Sequence, residues 1–148
     1  MRILSNMKIA IIDAQAPGLG FMADYAQMTA DLNYRLPQLN LKFDFGNDYT
    51  KTTIDHLTGY DLLAVMCNEQ AGDDQDAIDL VARVKPLHEE GLLVFLGVTK
   101  KRGWSEDLRK KFDPTTKEGF EGITDWVPVG HNRYAMLTQT INDYLGDK

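Results

Sequence analysis

Apolar positions along this chain form short runs that are separated by segments of helical spacing. Three of the runs are almost continuously apolar: Ile9–Asp13, Leu62–Cys67 and Leu92–Val98. Central strands of a parallel sheet have this pattern because helices cover both of their faces. Two other runs alternate apolar with polar residues, Leu41–Phe45 and Ile123–Val129. The second contains Pro128, which cannot donate a hydrogen bond to a neighbouring strand, and we therefore place it at a sheet edge.

Three longer segments have apolar residues at three- and four-residue steps, which is typical of helices packed on a sheet. They are Phe21–Leu36, Asp74–Glu90 and Tyr134–Leu145. Pro86 lies in the last turn of the second segment and is expected to kink or shorten it. In the third segment the pattern directs four side chains toward the sheet: Met136, Leu137, Ile141 and Tyr144. Shorter helices are predicted at Tyr49–Leu57 and Ser105–Phe112.

This alternation of strands and helices predicts an α/β fold. The three continuous runs need central positions and the two alternating runs need edges, and the strand order 2-1-3-4-5 satisfies both conditions. We therefore predict a three-layer α/β/α, flavodoxin-like fold with a five-stranded parallel sheet in that order. Residues 1–148 are expected to form a single domain, which is long enough to bury about two thirds of its unfolded surface.

Composition and charge indicate the cellular compartment and restrict the classes of binding partner. The net charge of −6 argues against general binding to nucleic acids. The single cysteine, Cys67, excludes an internal disulfide and a cysteine-based zinc site, which suits a reducing compartment. No apolar run approaches the roughly 18 residues of a membrane span, and Met1–Asn6 is too short and too polar for a signal peptide. We expect a cytoplasmic protein that binds neither nucleic acid nor a membrane.

The carboxyl ends of the predicted strands are where an open α/β sheet binds its ligands. Eight candidate ligand-binding or regulatory residues follow those ends: Asp13, Gln15, Gly18, Gly20, Cys67, Asn68, Glu69 and Thr99. Asp13 is the strongest of these candidates, because a carboxylate that directly ends a buried strand loses hydration unless another group compensates it. We therefore predict a ligand-binding or regulatory role for Asp13.

Three strand segments make the chain resemble the receiver domains of bacterial response regulators. Lys8–Gln15 is similar to the first strand and acidic turn of that family, Tyr60–Met66 to its third strand, and Gly122–Gly130 to its fifth. The resemblance extends over nearly the whole chain through the order and the lengths of its segments. It implies a regulatory, protein-interaction module of signal transduction.

The positions that match the family's phosphorylation site carry other residues here. Met66, or Cys67 if the register shifts by one residue, matches the phosphate-accepting aspartate, and neither side chain can form an acyl phosphate. The acidic pair after the first strand is reduced to Asp13, which weakens a carboxylate site for Mg²⁺. The family's hydroxyl and lysine match Gly97 and Val129. The resemblance therefore implies a pseudo-receiver with no catalytic residues, no metal and no cofactor.

Two other classes of protein use the same edge of such a sheet. In a cysteine enzyme, Cys67 would be a nucleophile at a strand–turn–helix junction, within reach of His131. The acidic residues that follow Cys67 disfavour a thiolate there. In a small flavodoxin-like enzyme or ligand-binding protein, backbone amides near Gly18 and Gly20 would hold an anion at a helix N-terminus. We keep this second alternative, centred on Asp13 and Gly18–Gly20, beside the regulatory one.

Basic residues are concentrated between Lys100 and Lys117. This segment contains seven of the sixteen basic residues of the chain and three acidic ones. In receivers the helix after the fourth strand belongs to the usual output surface, and the basic segment falls on that helix. The candidate partner-binding residues are Trp104, Arg109, Lys110 and Lys111, with the tryptophan as an aromatic anchor. The expected partner is another protein or a second copy of the chain.

Overall fold

The computed structural model describes residues 6–13, 19–66, 74–99, 123–129 and 133–146. Within them lie five strands: β1 (Lys8–Asp13), β2 (Lys42–Gly46), β3 (Leu62–Met66), β4 (Leu93–Thr99) and β5 (Asp125–Val129). Every neighbouring pair is parallel, and the order across the sheet is β2-β1-β3-β4-β5. Pro128 lies in β5, an edge strand, where its missing amide hydrogen is tolerated.

Helices lie between β1 and β2, between β2 and β3, and between β3 and β4. The described part of the chain has α1 (Leu19–Arg35), α2 (Ile54–Leu57), α3 (Asp74–Arg83), α4 (Lys85–Glu89) and α5 (Arg133–Leu145). A 3-10 turn, Pro37–Leu39, leads from α1 toward β2. The helix α2 is a single turn, and the side chain of Thr53 caps it by accepting a hydrogen bond from the amide of His56. This region of the helical layer is therefore much thinner than the α1 region.

The sheet has one apolar core on each face. The α1–α5 core includes Tyr25, Met28 and Leu32 of α1 together with Leu137 and Ile141 of α5. The α2–α4 core includes Leu57 of α2, Ala77, Leu80 and Val81 of α3, and Val84. Successive residues of β1 point to opposite faces, so Ile9 and Ile11 enter the first core while Ala10 and Ile12 enter the second.

The layered, parallel α/β class predicted from the sequence is confirmed. The predicted helix Asp74–Glu90 is divided at Val84 into α3 and α4. Pro86 accounts for the division, because it lacks the amide hydrogen for the next helical bond and its ring crowds the preceding turn. Gly91 follows α4 with a φ of 121°, as the sequence pattern requires of a residue that ends a helix there.

Two details of the predicted helices are corrected by the structure. Met136 was expected to face the sheet, but its side chain is 42% exposed. The inward stripe of α5 instead runs in four-residue steps through Leu137, Ile141 and Leu145, all of which are buried. Of the predicted helix Tyr49–Leu57, only the last turn is helical, because hydrogen-bonded turns precede it.

The remaining helix prediction, Ser105–Phe112, lies outside the described residues. Across the parts of the chain that the structure describes, no helix combines the length and the apolar character that crossing a membrane requires.

Candidate functional site

The predicted sheet edge is centred on Asp13, the last residue of β1. Its side chain is completely buried, at 0% exposure. The hydroxyl of Tyr25, on α1, donates to Oδ2 of Asp13 over 3.4 Å, which is a long and therefore weak hydrogen bond. The Tyr25 ring packs against Phe45 of β2, with 5.4 Å between the ring centroids. The Asp13 carboxylate thus ends its strand inside the protein, next to an aromatic pair.

Met66 and Gly97 lie beside Asp13 in the sheet. The register pairs Asp13 with Met66 and Met66 with Gly97. The Met66 side chain is 0% exposed and belongs to the α1–α5 core. The backbone carbonyl of Met66 accepts a hydrogen bond from the hydroxyl of Tyr49. At the centre of this edge, a thioether therefore fills the core and a tyrosine hydroxyl binds the end of β3.

Only part of the predicted edge falls on described elements. Asp13 ends β1, Gly20 lies in the first turn of α1, and Thr99 ends β4 beside Val129. Because β3 lies between β1 and β4, Asp13 and Thr99 are not direct neighbours. The other predicted site residues lie outside the described residues: Gln15, Gly18, Cys67, Asn68, Glu69, Trp104, Arg109, Lys110 and Lys111.

A pocket that sequence reasoning missed lies beside the edge strand β2. This β2–α2 pocket has a volume of about 290 Å³. Its buried lining is apolar and consists of Ala10, Ile12 and Leu57. The polar side chains of its lining are those of Asp44, Asn47, Asp48, Lys51, Thr52, His56 and Tyr60. An apolar floor with polar groups around it is the usual composition of a small-molecule site.

The register of β2 against β1 explains why this space is open. Asp44 is paired with Ala10 and Gly46 with Ile12, so these residues face the α2–α4 side of the sheet. An apolar side chain at either position of β2 would close that face, but a carboxylate and a glycine stand there. A Cβ atom on Gly46 would lie 3.0 Å from Cδ1 of Ile12. The four-residue helix α2 is too short to cover what these two residues leave open.

Tyr60 and Asp44 form the hydrogen bond that defines one wall of the pocket. The Tyr60 hydroxyl donates to Oδ2 of Asp44 over 2.5 Å. This hydrogen bond, together with partial burial and the charge of Asp44, raises the pKa of Tyr60 to about 12. The ammonium of Lys8 lies 4.5 Å from the centroid of the Tyr60 ring. The Tyr60 hydroxyl therefore stays protonated to a higher pH than an ordinary tyrosine, and both its hydroxyl and its ring are engaged.

Asp48 begins the turn that forms the opposite wall. Its Oδ1 accepts hydrogen bonds from the hydroxyl of Thr50 at 2.6 Å and from the amide of Thr50 at 2.9 Å. These bonds, with smaller contributions from Lys51, hold the pKa of the Asp48 carboxyl below its usual value. The Lys51 ammonium lies 3.9 Å from Oδ2 of Asp48 and is 86% exposed. Asp48 is therefore an anion with one oxygen committed to the turn.

Arg83 of α3 ties this turn to the body of the protein. Its Nε donates to the carbonyl of Thr52 at 3.0 Å, and its Nη2 donates to the carbonyl of Tyr49 at 2.6 Å. Since the Tyr49 hydroxyl binds the carbonyl of Met66, the wall of the β2–α2 pocket is connected to the carboxyl end of β3. Hydrogen bonds to backbone carbonyls thus link the pocket to the predicted edge.

No group of three or more histidine, cysteine, aspartate or glutamate side chains in the described ranges is arranged to hold a metal ion.

The sequence signal for the pocket was the pair of polar positions, Asp44 and Gly46, on one face of β2. From the sequence alone, such a pair of residues looks the same as the solvent-facing side of a strand, because the residues that lie beside it in the sheet are not known.

Comparisons with known proteins find only distant structural similarity. No protein-family model and no curated protein match the sequence. The chain is similar to a solved ThuA-like protein of Bacteroides uniformis (15% identity, TM-score 0.42), with 70% of this chain and 42% of that chain covered. It is also similar to a conserved protein of Enterococcus faecalis (12% identity, TM-score 0.48), with 94% and 99% covered. This chain thus spans less than half the length of the first protein, and neither similarity assigns it a function.

Proposed function

We propose that this chain is an atypical, receiver-like regulatory module that acts by binding a protein partner and is not phosphorylated at the usual position. The observation that carries the proposal is the side-by-side register of Asp13, Met66 and Gly97. The family that the sequence resembles has its phosphate acceptor at the end of the third strand. In this chain that position is occupied by Met66.

The chemistry of Met66 is incompatible with accepting a phosphoryl group. An acyl phosphate forms when a carboxylate oxygen attacks phosphorus, and a thioether has no such nucleophilic oxygen. The side chain is also enclosed in the α1–α5 core, where a phosphodonor does not reach it. Asp13 is buried beside it, with the Tyr25 hydroxyl as one of its neighbours. A module built in this way would act through its surface.

The strand order and the charge distribution support the same proposal. The five-strand order β2-β1-β3-β4-β5 is that of flavodoxin-like domains, which include receivers. The proposed partner is an acidic protein surface or a second copy of the chain, recognised through the basic segment between Lys100 and Lys117. Trp104, Arg109, Lys110 and Lys111 of that segment are the proposed contact residues. We place this activity in the cytoplasm.

Acetyl phosphate tests the proposal directly. The protein is incubated with acetyl phosphate and Mg²⁺ and its intact mass is measured, with a phosphorylation-competent receiver in a parallel reaction as the control. We expect the control to gain one phosphoryl group and this chain to gain none. A gain by this chain that disappears in the Asp13→Asn variant would show a working phosphorylation site and would overturn the proposal.

A further inference from the structure

We propose that the β2–α2 pocket is a binding site for a small organic cation, namely an ammonium group carried on a compact apolar body. This inference is independent of the proposed function, because the pocket lies beside the edge strand and includes neither Asp13 nor Met66. The size of the pocket, its apolar floor and the charges that face it support this assignment.

The volume of the pocket and its apolar floor determine which class of ligand fits. The volume of about 290 Å³ is close to the lower limit of ordinary small-molecule pockets, which is about 300 Å³. Ala10, Ile12 and Leu57 are all buried and provide an apolar surface at the base. Covering such a surface is favourable in proportion to the apolar area removed from water. A ligand that fills the pocket therefore needs a compact hydrocarbon portion.

The charged groups favour a cation over an anion. The lining carries two carboxylates, Asp44 and Asp48, one ammonium, that of Lys51, and the imidazole of His56, whose Nδ1 lies 3.2 Å from the Thr53 hydroxyl. Lys51 is 86% exposed and already lies next to Asp48, so it is not directed at the apolar floor. Asp44 is paired with Ala10 in the sheet, which places its carboxylate beside that floor. An anion would meet the Asp44 charge at the point where its apolar portion docks.

An ammonium also fits better than a metal ion. A hard divalent cation needs several converging oxygen ligands, usually six or more for Ca²⁺. The described residues offer no such group, and Oδ1 of Asp48 is already engaged by Thr50. An alkylammonium needs only a few hydrogen-bond acceptors and gains the rest of its affinity from its hydrocarbon portion. The mixture of two carboxylates and an apolar floor matches that requirement.

The walls of the pocket are held in place before any ligand arrives. Tyr60 donates to Asp44, which fixes the orientation of that carboxylate. Arg83 holds the carbonyls of Tyr49 and Thr52 on the opposite side. A site whose groups are already oriented loses less entropy on binding, and this compensates in part for its small size.

Phenethylamine is a suitable probe, and 2-phenylethanol is its uncharged counterpart of nearly the same shape. Each is titrated into ¹⁵N-labelled protein at neutral pH while amide chemical shifts are followed. We expect phenethylamine to shift the amides of Gly46, Asn47 and Leu57 saturably, with a Kd of about 1 mM. The alcohol should bind the same amides at least about fivefold more weakly, since it lacks the charge-assisted hydrogen bond.

Two variants test whether the probes bind inside the β2–α2 pocket. Asp44→Asn removes the charge but retains an acceptor for Tyr60, and it should weaken phenethylamine binding about tenfold while leaving the alcohol unchanged. Gly46→Ala places a methyl group 3.0 Å from Cδ1 of Ile12 and should weaken both probes by narrowing the pocket. The matched control is Asp143→Asn, which makes the same charge change at an exposed position of α5, on the other face of the sheet.

Three results would overturn the proposal. The first is the absence of saturable shifts around Gly46, and the second is equal affinity for the amine and the alcohol. The third is an equal loss of amine binding in Asp44→Asn and Asp143→Asn, which would indicate attraction by net charge alone. Circular dichroism of each variant checks that the fold is intact. Because the probes are added without a phosphodonor, the outcome does not depend on whether the chain accepts phosphate.

Discussion

The two faces of the edge strand β2 are built in different ways. On the α1–α5 side, Phe43 and Phe45 pack into the apolar core, and Phe45 stacks at an angle against Tyr25. On the α2–α4 side, Asp44 and Gly46 face a single helical turn and leave a pocket. A strand of five residues thus closes one face and opens the other, because its side chains alternate between the faces.

The two faces of β2 are stabilised by different kinds of interaction. The closed face is stabilised by burial of aromatic rings, which is non-directional and tolerates small shifts. The open face is held by directed hydrogen bonds from Arg83, Tyr60 and Thr50 to carbonyl and carboxylate oxygens. Such bonds fix the positions of polar groups while leaving space between them. The open face is therefore the one suited to recognising a ligand.

The largest expected effect comes from removing a ring on the closed face. Phe45→Ala should lower the free energy of unfolding by about 3 kcal/mol, because it deletes a large apolar side chain and leaves Tyr25 with a gap. The adjacent change Asp44→Ala should lower it by less than about 1 kcal/mol, since the site is exposed and water can replace the lost contact. Urea unfolding of both variants measures this, and similar losses would contradict the contrast between the faces.

A smaller effect is expected from Arg83, which acts on the open face. Arg83→Met keeps an aliphatic stem but loses two hydrogen bonds to the carbonyls of Tyr49 and Thr52. The free energy of unfolding should fall by about 2 kcal/mol, at roughly 1 kcal/mol for each bond. Amide hydrogen exchange should accelerate more in residues 49–53 than in β1, where it follows only the overall loss of stability. Uniform acceleration across both regions would mean that Arg83 stabilises the whole fold and not this turn.

Most of the strands were predictable from local patterns. The continuous runs that became β1, β3 and β4 are buried on both faces, and a run of apolar residues carries that information by itself. Pro128 marked an edge for a similarly local reason. Met136 is a position where the local pattern was not sufficient. The spacing of apolar residues alone does not decide which of two adjacent residues faces the core. In α5, Leu137 and Ile141 are buried, whereas Met136 is exposed.

The β2–α2 pocket was not predictable in the same way. In the sequence of β2, Asp44 and Gly46 are simply the non-apolar positions of an alternating strand. They become the wall of a cavity because Ala10 and Ile12 stand beside them in β1, more than thirty residues away in the sequence. The shortness of α2 has a local cause, since Thr50, Thr52 and Thr53 are weak helix formers and Thr53 caps the single turn. The pocket itself depends on long-range pairing, which no local pattern encodes.

The smallest expected effect is a dependence of stability on alkaline pH that originates at Tyr60. The pKa of Tyr60 is raised to about 12 by the hydrogen bond to Asp44, by partial burial and by the Asp44 charge. The unfolded chain loses this proton near the ordinary value of about 10, while the folded chain keeps it. Stability from this group is therefore complete below about pH 10 and is lost as the pH rises toward 12. Because Tyr60 is partly exposed, solvent screening reduces the total loss to about 1 kcal/mol.

Three variants separate this contribution from that of other groups. Tyr60→Phe should remove the Tyr60 part of the slope of unfolding free energy against pH, and Asp44→Asn should shift the Tyr60 titration back toward its ordinary value. Tyr144→Phe is the matched control, since the pKa of Tyr144 is also raised, by burial and by its hydrogen bond to Asp125. It should remove only its own part of the slope. If Asp44→Asn leaves the phenolate titration unchanged, then the Asp44 charge does not stabilise the Tyr60 hydroxyl, and the open face is held mainly by the bonds from Arg83 and Thr50.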